Sequence, residues 1–148
     1  MSVQIAWPEQ AGLARPLDEG QVAAAVERAL EHGGRAGLEV SVVFTTDAEL
    51  ARLHREWLDD AAPTDVIAFD LGEDLPGPAA ELYVSLERAR LVAAERGGDA
   101  GRELALYLVH GALHLCGYDD REPAERRAMR AAEGAVLAEL GYPPEEPF

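Results

Sequence analysis

The stretch from Arg102 to Cys116 restricts this chain more than any other. Leu104, Leu106, Tyr107, Leu108, Val109, Leu113 and Leu115 follow one another so closely that a helix through them has almost no polar face. A helix that is apolar nearly all round must be enclosed by protein. It falls short of the roughly 18 apolar residues that a membrane span needs, so the expected place is the middle of a globular core. Gly117 supplies the stop. The 148 residues suit one domain large enough to bury such a helix. No repeat, low-complexity tract or long linker divides them, and residues 1–148 are read as a single domain.

Around this helix the pattern alternates. Ser2–Trp7 reads as an edge strand before Pro8, and Leu38–Thr45 as a buried, β-branched strand. Thr64–Phe69 and Leu82–Ser85 complete the strands. Asp18 with Gln21, and Thr46 with Glu49, are capping-box pairs that open helices. The first of these helices ends at His32-Gly33-Gly34; the second carries Leu50, Leu53 and Trp57 on one face until Pro63 breaks it. Ser85 is placed to cap a helix reaching Arg96, and Pro123 to begin a last helix ending near Leu140. Gly72–Pro78 is an acidic loop and Gly141–Phe148 a proline-rich tail. The class is α+β, with strands in the first half and helices dominating the second.

Charge narrows the partners. Thirteen Arg and no Lys face 28 acidic residues, a formal net charge of −15. A broad DNA-coating surface is excluded, and no DNA or membrane partner is expected. A single cysteine rules out an internal disulfide, and the N-terminus lacks a basic-then-apolar signal pattern. A cytoplasmic location is the expectation.

The central helix also carries chemistry. His110 and His114 stand four residues apart, about 400° of helix, so their imidazoles lie one turn apart and about 40° from each other. One helix can present two nitrogen ligands to one metal ion this way. Asp119 and Asp120 follow the Gly117 bend, where a carboxylate could complete the set and leave a position for water. Separate side-chain hydrogen bonds could equally satisfy the two rings, and Asp120 could be a turn or capping residue. Position 111 is Gly, so the zinc-peptidase pattern with a Glu beside the first His is absent. Cys116 points about 200° away from His114 and reads as core. His32 reads as solvated. Arg121, Arg126, Arg127 and Arg130 alternate with Glu122 and Glu125, which suggests a solvated helix face with an i,i+4 pair between Glu122 and Arg126.

The run His110-Gly111-Ala112-Leu113-His114-Leu115-Cys116-Gly117-Tyr118-Asp119-Asp120 resembles the HGxLHLxGYDH signature of the YbeY family of bacterial single-strand-specific metallo-endoribonucleases. Pro63–Phe69 resembles the family's PTDVLSF strand, and Glu103, Met129 and Glu133 fit its pattern; the likeness runs from about Leu50 to Gly141. The resemblance implies a small mixed four-stranded sheet packed against about five helices, with the metal-binding helix central. It implies one divalent ion, with zinc the expected one, on His110, His114 and Asp120. Glu81 or Asp119 would serve as a base, and Arg55 as the cation beside the scissile phosphate. The implied activity is cleavage of single-stranded RNA in ribosomal RNA maturation, at the 3′ end of the small-subunit rRNA, and in ribosome quality control. Its partners would be rRNA and the small ribosomal subunit or its associated proteins.

The sequence departs from that pattern at several positions. Asp120 replaces the signature's third His. Leu58 stands where the family carries an Arg, with Arg55 three residues earlier on a nearby face; Ala80-Glu81 replaces Gly-Asp, and His54 an Asn. These changes define an alternative from another class, a non-catalytic metal-binding ribosome-assembly factor that keeps the fold without the nuclease activity. A hydrolase acting on a small substrate is a third.

Overall fold

A computed structural model describes residues 3–7, 15–58, 65–72, 74 and 76–142. Strand β1 (Val3–Ala6) precedes helix α1 (Glu19–Gly33), strand β2 (Val40–Thr45) and helix α2 (Asp47–Leu58). Strands β3 (Val66–Asp70) and β4 (Ala80–Ser85) follow, and then helices α3 (Leu86–Arg96), α4 (Ala100–Leu115) and α5 (Pro123–Glu139). The expected positions of Ser2, Pro8, Pro63, Thr64 and the tail beyond Tyr142 lie outside the described residues.

Local signals place most boundaries. Asp18 caps α1: its carboxylate accepts the Gln21 N–H at 2.8 Å while the Gln21 side chain accepts the Asp18 N–H at 2.9 Å. At α2 only half of the expected box forms. Thr46 Oγ1 accepts the Glu49 N–H at 3.2 Å, but the Glu49 carboxylate turns outward and pairs with Arg52. Ser85 caps α3 through the Arg88 N–H at 3.1 Å and donates its hydroxyl to Asp47 at 2.5 Å. At the last helix, Glu125 accepts the Glu122 N–H at 2.9 Å.

The sheet is mixed, in the order β1-β2-β4-β3. β1 and β4 run parallel to β2, and β3 antiparallel to β4. Alternation then sorts the side chains. Val40, Val42, Phe44, Ala80, Leu82 and Val84 are buried on one face with the α1 and α4 cores. Leu50 of α2 and Ile67 of β3 are buried too, but outside that main cluster.

Helix α4 is the hub, in contact with α1, α3, α5, β3 and β4. Eleven of its sixteen residues are buried, which is why its apolar sequence has no polar face. At Gly111 the helix lies so near the sheet that a Cβ would meet Leu82 Cδ2 and Val66 Cγ2, both at 2.9 Å. The residue type that removes the peptidase pattern is therefore the one that lets α4 press on β3 and β4.

Candidate metal centre

His110 and His114 leave α4 beside the Gly111 contact, half-buried, where they border β3. Helix α4 ends in a six-to-one closure, with the Tyr118 N–H on the Leu113 carbonyl at 3.1 Å and the Gly117 N–H on the His114 carbonyl at 3.1 Å. Gly117 takes φ +97°, a left-handed conformation that side-chain-bearing residues rarely adopt. This turn folds the chain back over the imidazoles. Asp119 then accepts the backbone N–H of Asp120 at 2.8 Å, and the Asp120 carboxylate faces the rings.

Three atoms converge. His110 Nε2 lies 3.0 Å from His114 Nε2, and Asp120 Oδ2 lies 3.5 Å from the first and 3.8 Å from the second. Ligand atoms of the three residues fall within 4.8 Å of one another. Bonds of about 2.0–2.2 Å in a tetrahedral shell separate neighbouring ligand atoms by roughly 3.3–3.6 Å. The set therefore fits one small divalent cation, with a further position left for water.

The surroundings support that fit. Glu133 of α5, itself buried, bonds His110 Nδ1. A ring that donates Nδ1–H to a carboxylate presents the Nε2 lone pair, the arrangement that orients metal-binding histidines. Burial opposes a proton on His110, yet the Glu133 hydrogen bond and charge, with Asp65 and Asp120, raise its pKa above the ordinary histidine value. Burial and then the neighbouring His110 lower that of His114. Asp65, just ahead of β3, is raised by burial. Glu133 was legible in the sequence only as a family position; its bond to His110 depends on how α5 docks.

The other expected site residues are placed differently. The centre opens on a cleft of about 800 Å³ that follows edge strand β3, with His54 of α2 among its lining residues and the Gly117–Arg121 turn along another side. Arg55 is exposed and is not among those lining residues; among the described side chains of α2, His54 lines the cleft. Glu81 is a correction. It alternates with Leu82, which packs against Gly111, so it points to the opposite face of the sheet, where Tyr83 Oη donates to it at 3.3 Å. A base role for Glu81 at this centre does not survive that register. Asp119 lines the cleft, and its observed bond holds the turn.

An α+β protein with two imidazoles from one helix and a carboxylate from the following turn has the layout of a hydrolytic metal protein. A family model described as endoribonuclease YbeY matches residues 13–141. The chain is 46% identical over 118 residues to endoribonuclease YbeY of Chloroflexus aggregans, covering 73% of this chain and 77% of the relative. It is 39% identical over 141 residues to that of Roseiflexus sp., covering 88% of each. The solution structure of TM1509 from Thermotoga maritima shares the fold, with a TM-score of 0.57 at 23% identity, covering 94% of this chain and 91% of the other. The chain belongs to the endoribonuclease YbeY family.

Proposed function

We propose that this protein is a metal-dependent, single-strand-specific endoribonuclease acting in ribosomal RNA maturation, at the 3′ end of the small-subunit rRNA, and in ribosome quality control. The observation that carries the reading is the convergence of His110, His114 and Asp120, with Glu133 behind His110, in a cleft on the family's signature helix. A divalent ion bound there, zinc in this reading, would supply Lewis acidity toward a phosphoryl oxygen and acidify a bound water.

The chain's own residues do the rest. Glu133 fixes the His110 ring and its tautomer. The Gly117 turn and the Asp119 bond hold the Asp120 carboxylate over the pair. The Asp120 carboxylate, where the family signature has a neutral imidazole, would lower the net charge at the centre and so its power to acidify a water. The cleft along β3 would receive an extended single strand. At a net charge of −15, RNA approaches against long-range repulsion that screening confines to about 8 Å at physiological salt. Delivery on the small ribosomal subunit in the cytoplasm answers that penalty.

The test is cleavage of a single-stranded oligoribonucleotide by wild type, chelated protein and His110→Ala. Loss of turnover in the last two supports the reading, and wild-type rates in both overturn it. The second reading, a non-catalytic ribosome-assembly factor, draws on Arg55 lying off the cleft lining. It predicts tight metal binding and destabilisation on chelation without turnover.

A further inference from the structure

Beside the cleft, on the α5 side of His110, lies a smaller recess of about 190 Å³, against roughly 30 Å³ for one liquid water. Helix α5 lines it with Arg126, Met129, Arg130 and Glu133, which are i, i+3, i+4 and i+7 on one helical face. Buried Met129 and Glu133 fix which way that face looks. Two guanidiniums of a chain with 28 acidic residues thus border the same hollow as the metal ligands His110 and Asp120.

The two have different engagements. Arg126 Nη1 donates to the carbonyl oxygens of Arg121 at 2.8 Å and Asp120 at 3.4 Å, so it clamps the turn that carries Asp120. The expected ion pair with Glu122 does not form, although Arg126, Arg130 and Glu122 are exposed as expected of a solvated face. Arg130 makes no hydrogen bond or ion pair with the other described residues in this structure. The acids of the recess are engaged elsewhere: Glu133 on His110, Asp120 facing both imidazoles, and Asp65 on the Val66 backbone N–H. The guanidinium fork of Arg130 remains, and its planar donors match a backbone phosphate of an RNA strand.

We propose that Arg130 is a substrate-positioning residue: its guanidinium binds a non-scissile backbone phosphate of the RNA strand and seats the strand across the metal centre. The proposal rests on the endoribonuclease reading and adds the place where the strand continues past the centre. A charge-assisted contact of this kind predicts that Arg130→Gln binds a single-stranded oligoribonucleotide about tenfold more weakly. The salt slope of binding should also fall by about 0.7, the value for one phosphate contact on a single strand.

The experiment compares wild type, Arg130→Gln, Arg130→Lys and Arg127→Gln, the last altering an exposed Arg outside the recess. Fluorescence anisotropy of the chelated proteins reads binding, and steady-state cleavage by the metal-loaded proteins reads KM and kcat. Equal metal content and melting temperature show that the variants are folded. The expected result is weaker binding and a higher KM at unchanged kcat for Arg130→Gln, partial rescue by Lys, and wild-type behaviour for Arg127→Gln. A wild type that cleaves RNA while Arg130→Gln matches it, or while Arg127→Gln loses as much, overturns the proposal alone. A wild type that neither binds nor cleaves RNA overturns the endoribonuclease reading together with it.

Discussion

At the scale of single residues, two positions decide whether the centre can exist. Glu133 reaches His110 Nδ1 from another helix, and removing a carboxylate of this kind typically weakens metal binding 10–100-fold. Glu133→Gln should therefore lower affinity by about that factor with His114 and Asp120 intact, measured by competition with a chromophoric chelator. An unchanged affinity would remove Glu133 from the centre. Gly111 is the second. A methyl added there meets Leu82 and Val66 at 2.9 Å, and overpacking a filled core costs about 1–3 kcal/mol. Urea unfolding of Gly111→Ala should show that loss, and a variant as stable as wild type would mean that α4 can lift off the sheet. The nearness of His110 and His114 was legible from their spacing, because geometry on one helix is local, while a shared ion was implied only by the family resemblance. The Glu133 bond and the Gly111 contact were not, because both depend on how α4 meets distant elements.

At the scale of elements, the docking of α1 on α4 is fixed by another close approach. A Cβ on Gly33 would collide with both Cβ and Sγ of Cys116. Gly33→Ala should destabilise the fold by about 1–3 kcal/mol, and Cys116→Gly in the same chain should recover part of that loss. A double-mutant cycle on denaturant midpoints measures the coupling, and additive effects would contradict the contact. The same packing raises the Cys116 thiol pKa above its ordinary value through burial, consistent with its reading as core. Arg35 ties this end of the molecule together, donating to the Leu115 carbonyl at 2.7 Å and to Asp70 at 3.0 Å. Capping signals placed α1 and α3 closely, since a cap is satisfied within three residues of sequence. The half-formed box at α2 shows the limit: Arg52 competes for Glu49, and motif spacing does not reveal the competitor.

At the scale of the whole molecule, the candidate ligands join α4, the turn after it and, through Glu133, α5, so ion binding is coupled to folding. An ion at 100 times its Kd adds about 2.7 kcal/mol of stability. In a domain of this size each kcal/mol moves the melting temperature by about 2–4 °C, so chelation should lower it by roughly 5–10 °C in a calorimetric scan. A scan unmoved by chelation would show that the folded protein holds no ion there. Charge also acts at this scale. No helix of the described residues is long and apolar enough to cross a membrane, and the acidic surface leaves any affinity for RNA to local groups such as those around the centre.

The succession of strands and helices along the chain, the central place of α4 and the nearness of two imidazoles on it were legible in the sequence, because periodicity, caps and residue spacing are properties of neighbouring residues. Which face Glu81 took, that His54 of α2 lines the cleft, and which carboxylate steadied His110 were decided only by the tertiary structure. Strand register and helix docking bring together groups tens of residues apart, and no local pattern encodes the direction in which they finally point.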